Sequence, residues 1–165
     1  MGKRKERPLL TYIYDTREQR PYDMAAPDPK LFQDGGFYED GMAAGDITFE
    51  LDCVRASFAI ERKSLLDFIN CCARDRERFE SELGRLSGLA SAHVLIESPF
   101  AQIRAGSPRS QVPGLAVYNS IACWAVRFPT IHFWPCTSRI EGQIWARALI
   151  HEAAKHSLAP DSIDS

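Results

Sequence analysis

The stretch from Phe58 to Leu86 constrains the fold most, because its apolar pattern changes period once. Phe58 and Ile60 alternate with their neighbours in the way that is typical of a half-buried strand. From Ser64 onward the apolar residues follow the period of a helix, and they form one stripe along it. Ser64 and Asp67 have the spacing of a capping box at a helix start. The pattern therefore predicts a strand that runs directly into one long helix.

Two charged residues stand at the end of this predicted strand. Glu61 and Lys63 are two positions apart, so their side chains project from the same face of the strand. A carboxylate and an amine on one face suit a site that binds a hard cation and activates a water molecule beside it. We take this pair as the starting hypothesis for the rest of the chain.

The remaining segments predict an α/β domain of three layers around a central mixed sheet. Strands are predicted over 9–14, 47–51, 58–62, 92–97 and 131–136, and later helices over 114–127 and 139–156. The segments 46–51 and 58–62 are expected to form an antiparallel pair. Residues 30–36 are predicted as a short helical turn and residues 100–113 as a surface loop.

The length of 165 residues fits one folded domain, predicted over 9–156. We expect a disordered basic tail at 1–8 and a second disordered tail at 157–165. No apolar run reaches the length of a membrane span, which predicts no membrane association. The five cysteines form no C-x-x-C pair and predict free thiols in the cytoplasm. The net charge of −2 disfavours a protein that coats nucleic acid, but it permits a local basic surface.

Three acidic residues fall at or beside predicted strand ends: Asp15, Asp46 and Glu61. Asp46 and Glu61, together with Lys63, satisfy the D…(D/E)-x-K pattern of metal-dependent nucleases. The chemistry explains these residue types. Hydrolysis of a phosphodiester requires positive charge near the phosphate and a hydroxide generated near neutral pH. Mg²⁺ held by carboxylates supplies both, and a lysine orients the water.

The order of these motifs resembles that of a known family. The chain carries Asp15-x-Arg17-Glu18, then Gly45-Asp46, then Glu61-Arg62-Lys63-Ser64-x-x-Asp67. This order is similar to the signature of the XPF/MUS-type structure-specific nucleases, whose hallmark is ERK-x-x-x-D. The resemblance extends over about residues 11–152.

The resemblance implies a restriction-endonuclease-like, PD-(D/E)XK domain that cuts DNA at branches or flaps with Mg²⁺, or with Mn²⁺ in its place. It implies Asp46 and Glu61 as metal ligands, with Asp15 as a further ligand or just behind them. It implies that Lys63 positions the attacking water. Glu18, Arg62 and Asp67 are expected to complete and orient the site.

Some of these residues also have ordinary structural explanations. Asp67 is expected to cap the helix, to support the site, or to do both. Arg17, Arg74 and Arg78 are expected to contact the phosphates of DNA. The alternative for Arg74 and Arg78 is pairing with the acidic residues interleaved among them on the helix.

The resemblance is to the nuclease domain alone. The chain shows no tandem helix-hairpin-helix module and no helicase region, so it looks like a stand-alone bacterial or phage member. A homodimer through the helices at 114–127 and 139–156 is implied. Two other functions stay open: a less selective DNA nuclease, and a catalytically silent DNA-binding scaffold subunit on the same fold.

Overall fold

The computed structural model describes residues 6–158, and the outermost parts of the two predicted tails lie outside this range. Seven strands form one sheet in the order β2-β1-β3-β5-β6-β7, with β4 paired to β3. The strands are β1 (Leu9–Asp15), β2 (Gln33–Asp40), β3 (Ile47–Leu51), β4 (Val54–Arg55), β5 (Phe58–Ser64), β6 (Ser91–Glu97) and β7 (Ile131–Pro135). The helices are α1 (Leu65–Cys71), α2 (Arg76–Leu86), α3 (Phe100–Ala105), α4 (Gly114–Arg127) and α5 (Arg139–Leu158).

The helices cover the two faces of the sheet unequally. Apolar side chains of α1 to α4, among them Phe68, Phe79 and Trp124, form one core with the sheet. On the opposite face, Ala146 and Ile150 of α5 pack against apolar residues of β1 and β3. The α/β fold with three layers and a central mixed sheet is thus confirmed. Within residues 6–158, no helix has the combination of length and apolarity that crossing a bilayer demands.

The strand pairings bring three chain segments to one edge of the sheet. β3 runs antiparallel to both β1 and β5, through the pairs Tyr14↔Ile47 and Ile47↔Ile60. The beginning of β3 therefore lies beside the ends of β1 and β5. Backbone hydrogen bonds fix this arrangement, because Asp15 N–H donates to the Asp46 carbonyl at 2.8 Å and Asp46 N–H donates to the Ile60 carbonyl at 2.7 Å. The predicted antiparallel pair is confirmed.

The prediction of one long helix after β5 is wrong. The helix begins as expected, with the Ser64 hydroxyl accepting a hydrogen bond from the Asp67 backbone N–H. It ends at Cys71, and α2 starts at Arg76. Asp75 N–H donates to the carbonyl of Asn70, five residues back, so the turn between the helices is wider than a helical one. The break lets each helix bury its own apolar stripe in the core.

The predicted helical turn at 30–36 is present only at its start: Phe32 N–H donates to the Asp28 carbonyl, four residues back, at 3.0 Å, but from Gln33 the chain forms the edge strand β2, parallel to β1. Gly35 permits the pairing: a Cβ there would lie 2.1 Å from the Thr11 hydroxyl oxygen. Gly36 takes a positive φ of 67° at the register shift, which glycine adopts readily. Part of the predicted loop at 100–113 forms helix α3. The other strands and helices lie close to their predicted bounds, and α5 ends at Leu158.

Candidate active site

All ten residues singled out from the sequence line one cleft or the recess that adjoins it. The cleft has a volume of about 580 Å³ and lies where β1, β3 and β5 meet the side of α2. It is lined by Asp15, Arg17, Glu18, Asp46, Glu61, Arg62, Lys63 and Arg78. The adjoining recess adds Asp67 and Arg74 to Asp46, Glu61 and Lys63. The structure thus brings together residues that are far apart in the sequence.

Asp46 and Glu61 form the buried acidic part of the cleft. One Asp46 oxygen accepts a hydrogen bond from the Arg62 backbone N–H at 2.7 Å. Burial raises the pKa of Asp46 to about 6. The Glu61 side chain is only 3% exposed, and burial, followed by the charge of Asp46, raises its pKa as well. The Oε2 atom of Glu61 is buried and has no hydrogen-bond partner among the described residues.

Lys63 places its ammonium between two carboxylates. Its Nζ donates a hydrogen bond to Glu61 Oε1 and lies 3.8 Å from Glu82 Oε2. The Nζ also lies 5.4 Å from the centre of the Phe79 ring. Burial lowers the pKa of Lys63, but the charges of Glu61 and Glu82 outweigh burial and raise it. Lys63 is therefore held in the cleft as an ammonium. Glu82 also lines the cleft, and it was missed by the sequence analysis.

Asp15 is engaged on both of its oxygens. Arg17 donates to it through Nε at 2.7 Å and Nη2 at 2.9 Å, and the Met42 backbone N–H donates at 2.8 Å. The hydrogen bond from the Arg17 side chain is the main cause that lowers the pKa of Asp15 to about 2. These contacts tie the end of β1 to the segment that leads into Asp46. The proposed metal-binding role of Asp15 stays a prediction, whereas an orienting role is visible.

Arg62 turns away from Glu61 and Lys63, as neighbours on a strand must. Its Nη2 donates to Glu18 at 3.0 Å, and its Nη1 donates to Glu97 at 3.2 Å. Only 14% of the Arg62 side chain is exposed. Glu18 also accepts a hydrogen bond from the Arg20 backbone N–H at 2.6 Å. Arg62 thereby fixes the loop after β1 to the centre of the sheet.

Glu97, at the end of β6, joins three further elements on this side of the sheet. Its Oε1 accepts hydrogen bonds from the Tyr22 hydroxyl at 3.1 Å, from Arg62 at 3.2 Å and from Arg139 at 3.3 Å. The two guanidinium carbons lie 5.8 Å and 5.0 Å from the centre of the Tyr22 ring. Arg139 also donates to the carbonyls of Arg20 at 2.7 Å and Pro21 at 2.9 Å. Helix α5 therefore holds the loop that carries Glu18.

The remaining predicted residues lie at the rim. The Ser64 hydroxyl donates to the Asp67 carboxylate at 2.6 Å, so Asp67 takes part in capping α1 while it lines the recess. The side chains of Arg74 and Arg78 are 74% and 81% exposed. Both approach Asp75, at 3.5 Å and 3.8 Å. Such exposed pairs contribute little to stability, so both arginines are accessible to a ligand in the cleft.

The donor set fits a magnesium ion held by few protein ligands. Within residues 6–158, no group of three or more His, Cys, Asp or Glu side chains is arranged to hold a metal ion. Mg²⁺ is commonly bound by only one or two carboxylates, with water and substrate phosphates as its other ligands. Asp46 and Glu61 offer that arrangement. A cation would also satisfy the buried Glu61 Oε2, which is costly to leave without a partner.

Two of the missed residues had signals in the sequence. Glu97 follows an apolar run as Glu61 does, and the register Ser64↔Glu97 places it at the same sheet edge. Glu82 is next to Leu83 of the apolar stripe of α2, a position that indicates the border of the buried face. Arg139 had no such signal, because its partners near Arg20 are about 119 residues away in the chain.

Comparison with known proteins identifies a solved structure with a similar fold. No family model matches the chain, and no curated protein matches it. Among solved structures, XPF from Aeropyrum pernix has a similar fold, with a TM-score of 0.57 and 17% sequence identity. The alignment covers 89% of this chain and 64% of that chain, so this chain spans less than two thirds of the XPF length. The likeness shows that the two chains share a fold.

Proposed function

We propose that the chain is a Mg²⁺-dependent endonuclease that hydrolyses phosphodiester bonds in branched, flapped or junction DNA. One observation carries the proposal: a buried glutamate oxygen without a partner, on Glu61, lies in a cleft with Asp46 and the Lys63 ammonium. The XPF-like fold supports the same activity. The free state of all five cysteines supports a reducing compartment, which we propose to be the cytoplasm of a bacterial or phage-infected cell.

We assign the cation to Asp46 and Glu61, with Mn²⁺ as a substitute for Mg²⁺. When bound, such a cation supplies positive charge for the phosphate and lowers the pKa of a water molecule. Lys63 orients the attacking water as a hydrogen-bond donor and offsets negative charge on the phosphate. Asp15, Glu18 and Arg62 hold these groups in place through the contacts described above. Asp67 keeps α1 fixed at the end of β5.

We assign the contacts with the DNA backbone to arginines at the rim. Arg74 and Arg78 are exposed and line the recess beside Asp46 and Glu61. Arg17 is 71% exposed, although Asp15 binds one edge of its guanidinium. Arginine suits phosphate because its planar group donates two parallel hydrogen bonds.

The proposal is tested by cleavage of a matched set of labelled DNAs: single strand, duplex, splayed arm, 3′ flap, 5′ flap and four-way junction. Each is incubated with Mg²⁺, Mn²⁺ or EDTA. We expect metal-dependent cutting near the branch. Glu61→Gln and Lys63→Ala are expected to abolish cutting while leaving the far-UV circular dichroism spectrum unchanged. Lys155→Ala is the matched control, because Lys155 lies on α5 and, within residues 6–158, its ion pair is with Glu152 alone.

The same experiment separates the alternatives. Equal cutting of every DNA supports a less selective nuclease. Tight binding without cutting supports a catalytically silent scaffold subunit. Cutting that persists in Glu61→Gln contradicts the site assignment.

We also propose a homodimer through α4 and α5. Leu115 and Val126 on α4 are 70% and 84% exposed, and Ile140 and Ile144 on α5 are 73% and 64% exposed. Large apolar side chains at such exposure favour a protein partner. Sedimentation velocity is expected to show a dimer that Val126→Asp converts to a monomer. A wild-type monomer at all concentrations tested contradicts this proposal.

A further inference from the structure

A smaller recess, separate from the one lined by Asp67 and Arg74, lies on the other side of the segment that leads into Asp46. Its volume is about 190 Å³. The small side chains of Ala44, Ala56 and Ala59 form its walls together with Phe58. The recess is shallow: Ala59 and Phe58 are buried at its floor, whereas Ala56 is half-buried and Arg85 is exposed at its rim, next to the end of α2 at Leu86.

The recess is continuous with the candidate active site. Ala43 and Arg85 line both the recess and the cleft. The Nε of Arg85 donates a hydrogen bond to the Ala43 carbonyl at 3.1 Å, which holds the guanidinium at the border between them. Ala44 faces the recess and Asp46 faces the cleft. Two residues of chain span at most about 7 Å, so an occupant of the recess lies beside the reacting group.

The two arginines at the recess differ in what they offer a ligand. Arg55 is bound to Asp40 at 2.7 Å and lies 3.8 Å from Glu50, so its charge is already compensated. Arg85 uses its Nε for the carbonyl, which leaves both terminal nitrogens of its guanidinium for another partner. A planar guanidinium beside apolar walls is a favourable surface for stacking a nucleobase.

The size of the recess limits what it accepts. It is smaller than the roughly 300–1,000 Å³ of pockets that hold drug-sized ligands. One flat ring system suits this space. A base in a duplex is stacked and paired, so it enters such a recess only after leaving the helix.

We infer that this recess holds one unpaired nucleobase next to the phosphodiester that is cleaved. The inference rests on the proposed function and narrows its substrate: the DNA has a single-stranded nucleotide at the cut. The base stacks on Arg85 and packs against Ala56, while its phosphate lies toward Asp46. A continuous duplex lacks that nucleotide and binds less tightly.

The test is an abasic scan of a splayed-arm DNA. A single abasic site is moved one nucleotide at a time through the single-stranded arm and across the branch, and Kd is measured by fluorescence anisotropy in EDTA. We expect one position near the branch at which loss of the base raises Kd about five-fold or more. The other positions are expected to change little, because their phosphates are intact.

Two variants connect that position to the recess. Ala56→Leu fills the recess without changing charge, and Arg85→Lys keeps the charge but removes the planar group. Each is expected to abolish the position dependence and to bind the intact DNA as weakly as the wild type binds the abasic one. Arg109→Lys is the matched control, since Arg109 lies in the loop before α4, away from the recess. If Ala56→Leu fails to fold by circular dichroism, Arg85→Lys decides the outcome.

The outcomes also separate this inference from the proposed function. A flat scan in the wild type, with tight DNA binding, overturns the inference alone. A position dependence that survives in Arg85→Lys overturns it as well. Failure of the wild type to bind any DNA overturns the inference and the proposed function together.

Discussion

Replacing Glu97 by glutamine tests whether the network behind the site stabilises the protein. One Glu97 oxygen accepts hydrogen bonds from Tyr22, Arg62 and Arg139 at 3.1–3.3 Å, and its side chain is only 11% exposed. Glutamine keeps the shape and one acceptor oxygen but loses the negative charge. The two guanidinium groups then face a neutral partner, and Arg62 keeps only Glu18.

The size of the effect follows from the charge-assisted bonds. A hydrogen bond to a charged group contributes roughly 1.5–3 kcal/mol. Because glutamine retains part of the hydrogen bonding, we expect a loss of about 2 kcal/mol in the free energy of unfolding, near the low end of that range. For a domain of this size, that corresponds to a fall in Tm of roughly 4–8 °C.

Urea unfolding and calorimetry measure this loss. Glu152→Gln is the control, because Glu152 is 62% exposed and, among the residues that the structure describes, pairs with Lys155 alone; we expect a change within about 0.5 kcal/mol. If Glu97→Gln unfolds at the same urea concentration as the wild type, with the same dependence on urea, the network does not stabilise the fold. The DNA cleavage assay then reports on the same variant. A fall in kcat with little change in KM indicates that Arg62 has lost its position.

Four other changes are expected to have measurable effects. Gly142→Ala places a Cβ 2.3 Å from the Tyr22 hydroxyl and is expected to destabilise the protein by about 1–3 kcal/mol. In Gly84→Ala the new Cβ meets nothing within 4 Å, so this change is expected to stabilise the protein by up to about 1 kcal/mol. Calorimetry measures both changes in stability. Asp15 stabilises the fold above its unfolded pKa of 3.8, and this contribution is lost as the pH falls toward its folded pKa of about 2. Asp15→Asn is therefore expected to weaken the pH dependence of the free energy of unfolding between pH 4 and pH 2. If this pH dependence is the same as in the wild type, the result contradicts the pairing of Asp15 with Arg17. Arg78→Ala is expected to lower the slope of log Kd for DNA against log salt concentration by about one, because one phosphate contact is lost. Arg109→Ala is the control. If Arg78→Ala has the same slope as the wild type, Arg78 belongs to its pair with Asp75.

Short-range patterns were sufficient to predict most of the sheet and the place of the site. β5 and β6 are apolar runs with clear ends, and the predicted helices over 114–127 and 139–156 correspond to α4 and α5. Because β3 runs antiparallel to its neighbours, Asp46 at its start was expected to meet Glu61 near the end of β5. The approach of Asp46 to Glu61 follows from the antiparallel direction of β3 and β5, which the sequence pattern indicates.

Features that depend on distant partners were not predictable in this way. β2 contains two adjacent glycines, which suggest a turn, but pairing with β1 makes the segment a strand. No proline or glycine marks the break between α1 and α2. The break is set by the packing of both helices in the core. Arg62 meets Glu97 and Glu18, which are 35 and 44 residues away. Pairs at such separations are set by the assembled fold.

The hydrogen bonds from Arg139 to the carbonyls of Arg20 and Pro21 join the first loop of the domain to its last helix. During synthesis, the loop that carries Glu18 leaves the ribosome long before α5 does. Until α5 docks, that loop lacks both its guanidinium partner and the helix beneath Tyr22. If the chain has the proposed nuclease activity, that activity is expected to appear only when almost the whole domain has been made. A half-synthesised chain would therefore pose little danger to the DNA around it.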